Sequence, residues 1–169
     1  TIEIDARTDR DFRLFYTSLY HSLLMPSLAT ELDAAGVASY RGIDMNVHAL
    51  PTGAAAFTYY TDFSLWDTYR TMHPLVGVLF PDVARDFVRT LMAMAEDSGT
   101  YPRWPLGTGE TRGMLGEPAA IAIADAWIRG QHDFDVAHAL DLFDATAFTD
   151  PPDGGRGGVE AYVRLGYVP

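Results

Sequence analysis

Apolar side chains recur three and four residues apart along most of the chain, which is the spacing of amphipathic helices. The pattern predicts five or six helices, the candidates being residues 9–25, 64–80, 81–98, 118–129, 136–148 and 159–165. Pro26 ends the first helix, Pro81 begins the third and Gly99 ends it. Short and long connections alternate, so neighbouring helices pair antiparallel, as in a bundle, a solenoid or an α/α barrel. No internal sequence repeat is evident, which counts against a regular solenoid.

The stretch between the first two helices departs from this pattern. We interpret residues 27–37 as a short, loosely helical segment that ends near Gly36. Strand-favouring residues then flank Pro51-Thr52-Gly53, and this arrangement predicts a small β-hairpin over residues 38–61. The expected class is therefore mainly α with a β-hairpin insertion. Two more long loops are predicted, over residues 100–117 and 149–158. Loops of this length are usually functional or disordered.

The composition narrows the classes of function. The chain has 169 residues, a formal net charge of −11 and an apolar fraction of 48%, so it can form one domain with a sizeable core. An acidic chain repels phosphate groups, so we expect neither nucleic acid nor an anionic membrane surface as a partner. No apolar run approaches ~18 residues, so no membrane span is expected. The absence of Cys excludes disulfides and thiolate metal sites.

Both ends of the chain have the pattern expected of a piece of a longer protein. The chain begins at Thr1 without Met and without a signal peptide. It ends at Gly166-Tyr167-Val168-Pro169, which is typical of a loop that leads into a further element. We therefore expect residues 1–169 to be an interior fragment.

Trp66 and Asp67 form the first candidate site, at a predicted strand-to-helix corner. An indole offers a flat apolar surface to the C–H face of a sugar ring. A neighbouring carboxylate accepts charge-assisted hydrogen bonds from two adjacent sugar hydroxyls. The alternative is structural, with Trp66 in the core and Asp67 as a favourable charge in the first turn of a helix.

Trp104 and Glu110 form the second candidate site, in the predicted loop at 100–117. Two prolines stiffen the backbone around the indole. Glu110 offers an acid, a base or an acceptor for hydroxyls, whereas the alternative is a packed loop in which Trp104 covers a pair of helices. Glu117 lies in a Gly-Glu-Pro triplet of catalytic appearance, but Pro118 is well placed to begin a helix there.

Metal-binding patterns are sparse. None of the five His has the spacing of a helical zinc motif with a third ligand. Asp44 and His48 on the predicted hairpin are a candidate coordinating or hydrogen-bonding pair, and His73 fits a satisfied structural histidine. Four Asp between residues 133 and 144 fit a helix cap and a solvated helix face rather than an EF-hand loop.

Several motifs follow one another in a fixed order from Phe15 to Pro169. The most specific is Ser64-Leu65-Trp66-Asp67-Thr68. Others are Phe15-Tyr16-Thr17-Ser18-Leu19-Tyr20-His21-Ser22, Tyr40-Arg41-Gly42-Ile43-Asp44, Trp104-Pro105-Leu106, Gly109-Glu110-Thr111 and Ile123-Ala124-Asp125-Ala126. Together these motifs resemble glycoside hydrolase family 92, the calcium-dependent exo-α-mannosidases, over essentially the whole chain.

The resemblance implies that residues 1–169 are the N-terminal part of an α/α-toroid catalytic domain. The complete enzyme is then expected to remove terminal α-linked mannose from glycans, with calcium and with inversion at the anomeric carbon. By the same resemblance Trp66 and Asp67 contact the terminal mannose, and Trp104 and Glu110 are candidates for the rim of the same pocket. The expected partners are mannose-terminated glycans and the remainder of the catalytic domain, in a secreted, periplasmic or cell-envelope protein.

The same resemblance assigns no catalytic residue to this chain. The family's Glu-containing acid motif and Asp-rich base motif follow a Gly-Tyr-Val-Pro run like the one at residues 166–169, and neither motif is present here. Glu117 falls too early in the chain to belong to the acid motif. The family's calcium ligands also lie mostly beyond this chain, so none is assigned.

Two other functions stay open at this point. A non-catalytic mannose-binding or scaffolding helical domain, derived from such an enzyme, would bind mannose without turnover. An unrelated α/α-toroid enzyme would use Glu110 or Glu117 in acid–base chemistry, although no working pair of carboxyls is identifiable. Calcium discriminates between these readings, because activity lost to a chelator favours the mannosidase.

Overall fold

The structure, a computed structural model, describes residues 2–149 and 157–169 of the chain. The predicted class, mainly α with small β elements, is confirmed. The predicted loop at 149–158 lies largely outside the described residues. Over the described ranges the chain forms seven helices: α1 (Asp9–Ser22), α2 (Leu65–Thr68), α3 (Met72–Leu79), α4 (Pro81–Ser98), α5 (Pro118–Ile128), α6 (Val136–Phe148) and α7 (Val159–Leu165).

Short strands form three small antiparallel sheets within the described residues. One pairs β1 (Ser27–Leu28) with β5 (Tyr60–Thr61), the second joins β2 (Glu31–Leu32), β3 (Ala38–Arg41) and β4 (Val47–Ala49) in order, and the third pairs β6 (Pro105–Leu106) with β7 (Gly109–Glu110). The helical interpretation of residues 27–37 is therefore wrong. The carboxylate of Asp33 accepts hydrogen bonds from the amides of Ala35 and Val37, which fixes a tight turn between β2 and β3.

The predicted hairpin exists, but its turn lies elsewhere. β3 and β4 are joined through residues 42–46, not through Pro51-Thr52-Gly53. Asp44 Oδ1 accepts from the amide of Asn46 at 3.0 Å, and Met45 has a φ of 70°. An Asp side chain that bonds two residues ahead favours such a turn, and the proline-glycine signal instead precedes a single turn of 3₁₀ helix at Gly53–Ala55.

The single helix predicted over residues 64–80 is two helices, α2 and α3, separated at residues 69–71. Pro74 explains the break, because its ring would clash with the carbonyl of Arg70 in a continuous helix. In α3 it occupies the first turn, where its missing N–H is not needed. The helices predicted at residues 81–98, 118–129 and 159–165 are confirmed, and Asp135 caps α6 by accepting from the amide of His138.

The core lies around α4, which contacts α3, α5 and α6. Leu91 and Met94 of α4 are fully buried, as are Phe63 and Leu65 at the start of α2. His73 stacks on Phe63, with ring centroids 6.0 Å apart. Its Nε2 is buried and has no hydrogen-bond partner among the described residues, so the expectation of a satisfied histidine is wrong.

None of the described helices combines the length and the apolarity that a bilayer crossing requires.

Candidate carbohydrate-binding site

The corner that carries Trp66 and Asp67 is held against α4 by polar side chains. The amide of Thr58 donates to Asp86 Oδ2 at 3.0 Å, and the amide of Tyr60 donates to Thr90 Oγ1 at 3.3 Å. Both α4 residues are buried, so the strand edge that ends in Thr61 has its backbone hydrogen bonds satisfied inside the protein. This anchoring sets where α2 begins and which way its first turn faces.

Burial of Leu65 orients the next two side chains. Leu65 packs in the core with no exposed area, so Trp66 is left half-buried and Asp67 exposed. The amide of Asp67 bonds to the carbonyl of Ser64 at 2.9 Å, which places this residue in the first turn of α2. Its carboxylate makes no hydrogen bond or ion pair with any other described residue. An exposed, unengaged carboxylate beside a half-buried indole is available to a ligand.

The second candidate region is shaped by the carboxylate of Glu110. Its oxygens accept hydrogen bonds from the amides of Arg103 at 2.8 Å, Trp104 at 3.1 and 3.3 Å, and Arg112 at 2.6 Å. The guanidinium of Arg103, buried in turn, donates to the carbonyls of Arg112 and Met114. Glu110 therefore holds the loop in shape, which favours the packed-loop alternative over an acid, a base or a direct hydroxyl acceptor.

Two hydrogen bonds fasten this loop to the Trp66 corner. Asp62 Oδ1 accepts from the amide of Gly107 at 2.9 Å, and the hydroxyl of Thr61 donates to the carbonyl of the same glycine. The first turn of the loop is anchored separately, since the amide of Tyr101 donates to Thr146 Oγ1 of α6 at 2.7 Å. The sequence suggested two separate regions, and the structure joins them at the turn between β6 and β7.

The two indoles also lie along one stretch of backbone. A side chain added at Gly113 would contact the ring of Trp104 at 3.6 Å, and one added at Gly116 would contact the ring of Trp66 at 3.8 Å. Because these glycines are three residues apart, Trp66 and Trp104 flank the same short segment. Glu117 follows it at the N-cap of α5, with Pro118 in the first turn, as the helix-start interpretation predicts.

Comparisons with known proteins decide what kind of domain this is. The sequence profile described as the Glycosyl hydrolase family 92 catalytic domain matches residues 1–169, the whole chain. The chain belongs to glycosyl hydrolase family 92. No curated protein sequence matches it.

Part of each of two solved family 92 proteins has the same fold as this chain. It is similar to a family 92 inverting mannosidase from Bacteroides thetaiotaomicron, with a TM-score of 0.83 and 33% identity over 99% of this chain. It is also similar to a second family 92 alpha-mannosidase of that organism, solved alone and in complex with mannoimidazole, with TM-scores of 0.74 and 33% identity over 92% of this chain. The chain spans 22% of the length of the first protein and 19–20% of the second.

One cluster of potential metal ligands in this family 92 chain includes neither tryptophan of the two candidate regions. Asp44, His48 and Asp97 present ligand atoms that all lie within 4.8 Å of one another. The sequence singled out Asp44 and His48 but missed Asp97. No local signal links the three, because Asp97 lies on the last turn of α4, and only folding brings it under the hairpin.

Hydrogen bonds organise this cluster. His48 Nε2 lies 3.0 Å from Asp44 Oδ1, and His48 Nδ1 lies 3.4 Å from Asp97 Oδ1. Burial opposes the ionisation of Asp44, but hydrogen bonds from His48 and Asn46 outweigh it and lower the pKa of Asp44 to about 2. Burial instead raises the pKa of Asp97, even though the hydroxyl of Tyr40 donates to this carboxylate.

The cluster does not fit calcium. Ca²⁺ prefers six to eight oxygen ligands. This group offers an imidazole nitrogen and two carboxylates, a donor set that suits zinc or another first-row transition metal instead. We therefore assign none of these residues to the calcium that the family resemblance implies.

Proposed function

We propose that the protein containing this chain is an exo-acting α-mannosidase that cleaves terminal α-linked mannose from glycans with inversion and with calcium. The observation that carries the proposal is the exposed carboxylate of Asp67, which bonds to no other residue that the structure describes and follows the half-buried Trp66, in a chain that belongs to family 92. The family 92 relatives described as mannosidases support the choice of sugar.

In this proposal the chain binds and orients the terminal sugar. Trp66 and Trp104 present apolar ring surfaces to the C–H face of mannose, and Asp67 accepts hydrogen bonds from two adjacent ring hydroxyls. Glu110 acts indirectly, because its bonds to the backbone fix the position of Trp104. Holding the ring in one orientation is the contribution expected of residues that position a substrate.

Inversion requires two carboxyl groups on opposite faces of the scissile bond, roughly 6.5–9.5 Å apart so that a water fits between them. We assign neither group to this chain. Bound calcium would supply a Lewis-acidic centre for sugar hydroxyls, and we propose that its ligands lie in the remainder of the catalytic domain.

We further propose that this chain is the N-terminal part of an α/α toroid, completed by the rest of a secreted, periplasmic or cell-envelope enzyme. Large apolar side chains exposed on the outer helices support this. Ile128 of α5 is 81% exposed, and Phe148 of α6 and Tyr162 of α7 are also exposed. Such side chains gain burial when further helices pack against them.

The proposal is tested by assaying the full-length protein on matched aryl α-mannoside and α-glucoside substrates. We expect turnover of the mannoside alone, loss of turnover on chelation, recovery with calcium, and β-mannose as the first product seen by NMR. Mannose binding without turnover would favour the non-catalytic alternative. An α-anomeric first product would contradict inversion.

A further inference from the structure

The cluster of Asp44, His48 and Asp97 joins two separate parts of the fold. Asp44 and His48 belong to the β3–β4 hairpin, whereas Asp97 lies at the C-terminal end of α4. The side chains are largely withdrawn from solvent, with exposed fractions of 17% for Asp44, 29% for His48 and 9% for Asp97. Two carboxylates are thus held close together around a single imidazole.

Gly42 shows how tightly the two carboxylates converge. A Cβ atom built on this residue would lie 2.7 Å from Asp44 Oδ1 and 2.8 Å from Asp97 Oδ2, closer than real Cβ contacts allow. Its third neighbour would be the ring of His48, at 3.1 Å. Only a residue without a side chain fits at position 42, because all three side chains converge on its backbone.

Tyr59 belongs to the aromatic surroundings of this cluster through its contact with Tyr40. Tyr59 is 1% exposed, and its hydroxyl has no hydrogen-bond partner among the described residues. Its ring stacks on Tyr40 at a centroid distance of 3.9 Å, and the Tyr40 hydroxyl bonds to Asp97 at 3.0 Å. Burial, followed by the charges of Asp97 and Asp44, raises the pKa of Tyr59.

An unsatisfied buried hydroxyl such as that of Tyr59 costs about 1–3 kcal/mol, so it calls for a partner. His48 lies between the two carboxylates and is within hydrogen-bond distance of Asp44. A cation bound by the carboxylates would neutralise their charge. The hydroxyl oxygen could then coordinate the cation directly or hydrogen-bond to a water that the cation holds.

We propose that Asp44, His48 and Asp97 bind a divalent transition-metal cation of the zinc class, with the Tyr59 hydroxyl as a further oxygen donor. The site joins the β3–β4 hairpin to the end of α4, so its role is to fasten the hairpin to the helical core. The proposal does not rest on the mannosidase activity, and the site is separate from the calcium of the proposed mechanism.

The test measures bound Zn²⁺ in the full-length protein. The protein is stripped with chelator, dialysed against Zn²⁺ with excess Ca²⁺ present, and analysed by elemental mass spectrometry. Asp97→Asn, which is isosteric, is expected to bind one equivalent less than the wild type. Glu96→Gln is the matched control, because Glu96 is adjacent on the same helix and pairs with His138 at 2.6 Å without a third ligand. It should retain the full complement.

Tyr59→Phe keeps the test decisive if Asp97→Asn fails to fold. The hydroxyl has no hydrogen-bond partner in the described part of the chain, so the metal-free variant should be at least as stable as the metal-free wild type. Its Zn²⁺ affinity at this site should fall about tenfold, and the thermal stabilisation by Zn²⁺ should shrink accordingly. Equal Zn²⁺ content and equal Zn²⁺-induced stabilisation in the wild type and both variants would overturn the proposal, whatever the glycosidase assay shows.

Discussion

The two regions that flank the segment at 113–116 each carry a Trp and a carboxylate, yet they use the carboxylate in opposite ways. Asp67 is exposed and engages no other described side chain, whereas Glu110 gives its oxygens to the amides of its own loop. The same pair of residue types thus leaves a carboxylate exposed in one region and uses it to hold the backbone in the other. The difference lies in what surrounds each carboxylate, which residue identity alone does not reveal.

The largest expected effect comes from Asp67→Ala. Removing two charge-assisted hydrogen bonds to mannose, each worth about 1.5–3 kcal/mol, should lower kcat/KM by roughly two to four orders of magnitude. The melting temperature should be almost unchanged, because the carboxylate is exposed. Steady-state kinetics and thermal unfolding of the full-length protein check both parts. Asp82→Ala is the matched control, another exposed first-turn Asp, and should have little effect on either. Near-normal turnover by Asp67→Ala would remove Asp67 from the site.

Glu110→Ala is expected to lower the stability of the fold more than it lowers the catalytic rate. It leaves the amides of Arg103, Trp104 and Arg112 without their acceptor, so the free energy of unfolding should fall by about 2–3 kcal/mol. Denaturant titration measures this loss, and Glu31→Ala, at an exposed strand position, should leave stability intact. If Glu110→Ala kept full stability but had a greatly reduced kcat, Glu110 would contact the substrate, as Asp67 is proposed to do.

His73 lies beneath the corner and makes the stability of the core pH-dependent. Burial, opposed in part by the charge of Asp125, lowers the pKa of His73 to about 4, against 6.5 for a free histidine. The unfolded chain therefore takes up a proton before the folded chain does. This contribution to stability is complete above pH 6.5 and is lost as the pH falls towards 4.

The change to test is His73→Leu, which should abolish an acid-dependent loss of about 3 kcal/mol between pH 7 and pH 4. Denaturant titrations of both proteins from pH 7 to pH 4 give the difference curve, in which carboxylates common to both cancel. His21→Leu, at an exposed position on α1, is the control, and its stability should depend on pH in the same way as that of the wild type. Parallel pH profiles for wild type and His73→Leu would show that His73 is not the responsible group.

Gly116→Ala should have the smallest effect. Its φ of 84° disfavours a side chain by about 1 kcal/mol, but the added methyl meets only the Trp66 ring at an ordinary 3.8 Å. We expect a slightly lower melting temperature and a KM raised a few-fold with kcat retained. Gly107→Ala, also at positive φ but with open space around it, is the control for strain alone. An equal KM change in both would mean that the segment does not cover Trp66.

Much of the helical framework was predictable because the apolar periodicity agrees with the residues that begin and end helices. Pro81 and Gly99 bound α4 as expected, and Asp135 caps α6. Failures occurred where tertiary pairing overrides local pattern. Residues 27–28 form a strand because β5 lies beside them, and no feature of the segment itself indicates this partner.

The sequence predicted where the candidate site residues lie better than it predicted what each residue does. The strand-to-helix corner at Trp66 and Asp67 is confirmed, while their contact with mannose stays a prediction. The engagement of Glu110 with its own loop depends on backbone geometry between residues 103 and 112, which sequence spacing does not encode. The approach of Asp97 to His48 joins residues 49 positions apart, so it required the fold.

The hydrogen bonds of Glu110 and the carbonyl contacts of Arg103 join residues within 103–114. These bonds set the shape of the segment from within, while Gly107 ties the loop to Thr61 and Asp62, and Tyr101 ties its start to Thr146. A replacement segment must therefore keep both its internal bonds and these anchors. Piecemeal substitution inside it is far less forgiving, so diversification of this rim should proceed by replacement of the complete segment.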